Sequence, residues 1–175
     1  MSRAFVKEDT DDAGEPVKRQ ASGRPNYVTP AGLEALRAKA SELTWRRAEL
    51  VSKQRLDEPR GFDLRQAELD LEYYESQLKR AILVDNRGLQ ATDVRFGATV
   101  QVREQDGAAR EYIIVGEDEA DPAAGKLNWG SPLAAALLGA SAGARVALQR
   151  KGGAVQLEII SVSYPGAQPE SGNLP

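Results

Sequence analysis

Carboxylates carry most of the chemical options in this sequence. None of its 175 residues is a histidine or a cysteine. The usual general base, the commonest metal ligand and all thiolate chemistry are therefore excluded. Asp57 and Glu58 stand side by side just ahead of Pro59 and Gly61, and Asp63 follows. Such side chains hold hard, oxygen-seeking cations, magnesium above all. Asp57 and Glu58 are thus candidate magnesium ligands and Asp63 a third carboxylate; a solvated charged turn is the plain alternative. Arg55, Arg60 and Arg65 surround the same stretch, where they could pair with the carboxylates or contact nucleic-acid phosphate. A second acidic group, Glu117, Asp118, Glu119 and Asp121, lacks the Asp-x-Asp-x-Asp-Gly spacing of a calcium loop and is read as a turn.

The first of these groups is placed at the end of a long protrusion. Thr29-Pro30 is a helix start, with a hydroxyl to cap free N–H groups and a proline suited to the first turn. Leu33, Leu36, Ala40, Leu43, Arg47 and Leu50 then alternate spacings of three and four, a coiled-coil seam with Arg47 as its flaw. The helix is predicted to stop near Leu56. A second is predicted from Asp63, as its cap, with the seam Leu64, Ala67, Leu71, Tyr74, Leu78 and Ala81. Joined by residues 57–62, the two make an antiparallel hairpin whose first arm is about 40 Å long at roughly 1.5 Å per residue.

The period changes to two from Val94 onward. Residues 96–102 and 111–115 alternate around Asp106-Gly107, a hairpin-turn signal, and 145–148 with 155–162 make a second pair across Lys151-Gly152-Gly153. Between the pairs, Ser131 caps a short helix with Pro132 first, Leu133, Leu137 and Leu138 inward, and Gly139 at its end. The fold class is α+β: a helical hairpin over residues 27–88, then a small antiparallel β domain with one helix over 90–165. Residues 1–26 are read as a disordered polar tail and 166–175 as a flexible one.

Composition sets the outer bounds. Hydrophobic residues make up 41% and charged residues 28%, as in soluble globular chains. The net charge of −3 gives no global attraction to nucleic acid. No apolar run approaches the roughly 18 residues of a membrane span, and the N-terminus has no signal-peptide core. The cytoplasm is the expected location.

Four stretches resemble the Gre family of bacterial transcription elongation factors, in that family's order. They are Val28-Thr29-Pro30-Ala31-Gly32-Leu33-Glu34-Ala35-Leu36, Phe96-Gly97-Ala98-Thr99-Val100, Tyr112 to Asp121, and Ser131-Pro132-Leu133-Ala134-Ala135-Ala136-Leu137-Leu138-Gly139. The resemblance implies an FK506-binding-protein-like C-terminal domain docking on the rim of the RNA polymerase secondary channel, with the coiled coil entering the channel. The docking residues it implies are Gly116, Glu117, Asp118, Ser131, Pro132, Leu133 and Ala134. The implied partners are RNA polymerase and, indirectly, transcript RNA; the protein itself is expected to be a monomer, with no membrane contact and no stably bound cofactor. A tip carboxylate pair, Asp57 and Glu58, would share the magnesium of the polymerase active site and speed cleavage of backtracked RNA, the factor having no active site of its own.

The sequence also departs from that family. Its coil tip carries Asp-x-x-Glu-Asn followed by Ala-x-Tyr, whereas this tip reads Leu56-Asp57-Glu58-Pro59-Arg60-Gly61-Phe62-Asp63. The coil is shorter, and Ala135 stands where the family has an arginine. Channel occlusion without cleavage is therefore the alternative reading. A prolyl isomerase, suggested by the fold alone, would have few aromatics for a pocket: Phe96, Tyr112, Trp129 and Tyr164. A dimeric coiled-coil scaffold is the remaining alternative.

Overall fold

The computed structural model describes residues 15–55, 61–104 and 107–167. A helical hairpin comes first. β1 (Asn26–Val28) leads into α1 (Pro30–Lys53), α2 (Phe62–Arg80) returns, and β2 (Ala81–Leu83) closes the base by pairing parallel with β1. Thr29 caps α1, its Oγ1 accepting from the Gly32 N–H at 3.0 Å, and Pro30 occupies the first turn. α1 stops at Lys53, a little before the predicted Leu56. Gly61, not Asp63, holds the cap position of α2. Asp63 is already helical and lies in the first turn, where its charge meets the positive end of the helix.

The seam buries Leu36, Ala40 and Leu43 of α1 and Leu64 and Ala67 of α2. Leu33, Leu50, Leu71, Tyr74 and Leu78 are only half-buried. Arg47 turns outward and meets Glu68 of the opposite helix at 3.5 Å. Near the base the pattern drifts, and Gln77 is buried rather than Leu78. There α2 is covered by β1 and the second domain: Asn26 Nδ2 donates to the Gln77 carbonyl at 2.9 Å. Ala81, expected as the last seam residue, instead ends α2 and starts β2.

The second domain contains β3 (Thr99–Glu104), β4 (Ala109–Val115), β5 (Lys126–Asn128), α3 (Pro132–Leu137), β6 (Arg145–Arg150) and β7 (Gly153–Ser163). They form one sheet in the order β5-β4-β3-β7-β6. The β3–β4 and β6–β7 pairs are antiparallel, as predicted; β3 also pairs antiparallel with β7, which joins the two pairs into one sheet, and β5 lies parallel to β4. Residues 116–125 loop back far enough for that parallel return, which no two-residue turn could make. Gly107 has φ +84°, the left-handed conformation that the β3–β4 turn requires; Asp106 beside it lies outside the described residues.

Alternation along the strands sends Val100, Val102, Ile114 and Ile159 into one core, and α3 covers them with Ala134 and Leu137. The Ser131 hydroxyl accepts from the Ala134 N–H at 3.2 Å and so caps α3 as predicted. Opposite β3, the register with β7 shifts between Gln101 and Val102, a bulge that helps to curl the sheet. Tyr164 closes the bottom, donating to the Asp93 carbonyl at 2.7 Å.

The leader differs from the expected disordered tail. Residues 15–25 have no helix or strand, yet Val17 to Arg24 lie against both α2 and the second domain through polar side chains. Residues 1–14 and 168–175 lie outside the described residues. Among the described residues, no helix is long and apolar enough to cross a membrane.

Candidate functional site

At the distal end of the hairpin, Asp57, Glu58, Pro59 and Arg60 lie outside the described residues. Asp63, Arg55 and Arg65 flank that end and are exposed. Among the described residues, no group of three or more acidic, histidine or cysteine side chains is arranged to hold a metal ion.

The residues expected to dock divide into two kinds. Pro132 is exposed and Ser131 and Leu133 are half-buried at the start of α3, so this edge can meet a partner. Ala134 cannot, because its side chain is fully buried in the core. Gly116, also buried, serves a different purpose: a Cβ there would lie 2.4 Å from the Tyr27 carbonyl oxygen. Only glycine lets β1 and the end of β4 approach so closely.

Glu117 and Asp118 do not stand free on a docking face, since each is engaged within the molecule. Asp118 accepts from the Tyr73 hydroxyl and from Gln77 Nε2, both at 2.8 Å. Glu117 accepts from the Ser22 hydroxyl at 2.5 Å. Glu119, the next residue, is the hub. Its carboxylate takes the Thr29 N–H at 2.9 Å, the Thr29 hydroxyl, and the Gly116 N–H at 3.3 Å. Thr29 thus accepts from its own helix and donates to the neighbouring domain. Gly32 leaves the room, since a Cβ on it would collide with the Glu119 carboxyl.

Rings complete the contact. Tyr27 of β1 packs edge-on against Trp129 with centroids 5.1 Å apart, and lies 6.1 Å from Phe96. The acidic run after β4 is therefore a fastener between hairpin and sheet domain. Burial, and after it the hydrogen bond to Asp118, pushes the Tyr73 hydroxyl well above its ordinary pKa. Its proton is held in this bond. Gln77 Oε1 is buried there with no hydrogen-bond partner, which raises the cost of disturbing Asp118.

Sequence reasoning placed the acidic run near the docking face and missed its inward role. A faint signal was present: Gly32 inside a helix is costly unless something packs against it. Glu119 is what packs there.

Residues 89–164 match the family described as "Transcription elongation factor, GreA/GreB, C-term". Over 154 residues the chain is 33% identical to transcription elongation factor GreA of Desulfovibrio desulfuricans, a match covering 81% of this chain and 95% of that protein. The chain belongs to the GreA/GreB family. It is 35% identical over 153 residues to transcription elongation factor GreB of Neisseria meningitidis, spanning 79% of this chain and 94% of that one. Similarity to GreA of Bacillus cereus is higher but shorter, 43% over 89 residues, covering 50% of this chain and 56% of that protein.

Among solved structures, the prokaryotic transcription elongation factor GreA/GreB from Nitrosomonas europaea is 21% identical with a TM-score of 0.39, over 79% of this chain and 99% of that one. In this Gre-family chain, residues 89–164 hold the whole five-stranded sheet, α3 with its Ser131 cap, and the Glu117–Glu119 fastener.

Proposed function

We propose that this Gre-family chain regulates transcription elongation by docking its sheet domain on the rim of the RNA polymerase secondary channel and extending the helical hairpin into the channel. The family match over both parts in order, at 95% of the Desulfovibrio protein's length, carries this reading. The edge formed by exposed Pro132 between half-buried Ser131 and Leu133 supplies the docking contact, next to Ala135, which is exposed. The hairpin supplies reach: 24 residues of α1 at roughly 1.5 Å each give about 36 Å. At its end Asp57 and Glu58 share a magnesium ion with the polymerase, and the factor has no catalytic centre of its own. Arg55 and Arg60 contact the transcript.

The tip sequence favours a second reading, occlusion of the channel without chemistry. Pro59 and Gly61 break the Asp-x-x-Glu-Asn spacing. Stalled, backtracked elongation complexes separate the two. If the tip works on magnesium, the wild type accelerates transcript cleavage, and replacing Asp57 and Glu58 together by alanine abolishes that while leaving polymerase binding intact. An occluder leaves the cleavage rate unchanged, and it displaces another channel-binding factor equally well with or without the two carboxylates. Protein that neither accelerates cleavage nor competes for the channel would overturn both readings.

A further inference from the structure

The segment ahead of β1 joins the two bodies by a second route. At one end Val17 lies against α2, its N–H donating to Gln66 Oε1 at 2.8 Å and its carbonyl accepting from Gln66 Nε2 at 3.0 Å. Lys18 pairs with Glu72 at 3.0 Å. Arg19 donates to the Tyr74 hydroxyl at 2.9 Å, and its guanidinium carbon lies 5.7 Å from the ring centroids of both Tyr73 and Tyr74. At the other end Ser22 donates to Glu117, and Arg24 Nη1 donates to the Gly130 carbonyl at 2.8 Å. Arg80, at the end of α2, donates to the Arg24 carbonyl at 2.9 Å.

From this we infer that residues 17–24 are a strap that holds the hairpin to the sheet domain in one orientation. These polar contacts are exposed and individually weak. Their effect comes from placement. The fastener at Thr29, Tyr73 and Gln77 grips the hairpin near its base, so on its own it resists tilting with little leverage. Gln66 is 14 residues from Arg80, about 21 Å up the helix at 1.5 Å per residue. A tie attached that far along the arm resists tilt as a stay resists the sway of a mast. Tethered at both ends, each contact also raises the effective concentration of the next. Gly130 is shaped for the lower attachment: a Cβ on it would lie 2.0 Å from Arg24 Nη1, and its φ is not in the left-handed region, so alanine there displaces the arginine without straining the backbone. A hairpin aimed in advance loses less freedom when it enters a narrow partner site.

The sequence has no cysteine, so two introduced thiols label cleanly. Ser41→Cys on α1 and Ala147→Cys on β6 are both exposed and away from the strap. With spin labels on both, the full-length protein is expected to show one narrow distance distribution by double electron–electron resonance. Arg19→Ala combined with Arg24→Ala should broaden that distribution severalfold while the circular dichroism spectrum is unchanged. Gly130→Ala, which keeps every strap side chain, should broaden it as well. Distributions as narrow as the parent's in both variants would show that the base fastener alone sets the orientation and would overturn the inference.

Discussion

The hairpin and the sheet domain are built to different standards. In the sheet domain, Val100, Val102, Ile114, Leu137 and Ile159 are completely buried around a single centre, drawn from strands distant in sequence and from α3. The hairpin buries one narrow stripe, and Trp45 and Val51 on α1 are exposed. One region is a scaffold whose every element covers another. The other is a probe that keeps most of its surface in water and depends on a seam and an attachment. The hairpin can therefore loosen while the domain that carries it stays folded.

The largest expected effect lies in the scaffold. Ile159→Ala removes a fully buried side chain and should cost about 2–5 kcal/mol in denaturant unfolding, followed by sheet signals. Leu43→Ala tests the probe. It should cost about 2–3 kcal/mol, yet hydrogen exchange should quicken in α1 and α2 and stay slow in β3 and β4. Equal acceleration in both regions would show that they unfold as one unit and would end the contrast.

Asp118→Ala acts on the boundary between them. It removes the acceptor of both Tyr73 and Gln77, beside an amide oxygen already without a partner, and should cost about 1–3 kcal/mol. Thermal unfolding should then split into two transitions. Alkali probes the same contact. The folded state holds the Tyr73 proton more tightly than the unfolded chain, so the stability from this bond is complete below the ordinary tyrosine pKa of 10.0 and is lost as pH rises beyond it. Melting curves taken across that range should flatten in Tyr73→Phe relative to the parent. The smallest effect belongs to the flaw in the seam: Arg47→Ala breaks only an exposed pair with Glu68 and should change stability by about 0.5 kcal/mol or less.

The same contrast decides what could be read from the sequence. Local chemistry was legible. Thr29 and Ser131 cap the helices assigned to them, Gly107 turns β3 into β4, and the two periodicities mark the hairpin and the sheet. What sequence reasoning missed is made at long range. β1 and β2 are three residues each and pair across a whole hairpin, too short for any periodic signal. Gln77 is buried because Asp118 comes to meet it from another domain, which no heptad pattern encodes. Glu119 reads as one more acid in a turn until Thr29 arrives beside it. The candidate carboxylates Asp57 and Glu58 remain a reading of sequence, since they lie outside the described residues.

The strap also sets an order of events during synthesis. Gly130, the partner of Arg24, follows it 106 positions later in the chain. At about 5–20 residues per second, the ribosome delivers that partner roughly 5–20 s afterwards. In the interval the seam helices, whose contacts are local, can already pair. The strap then closes across parts that have already begun to fold, joining a stretch of chain made before the hairpin to one made after it.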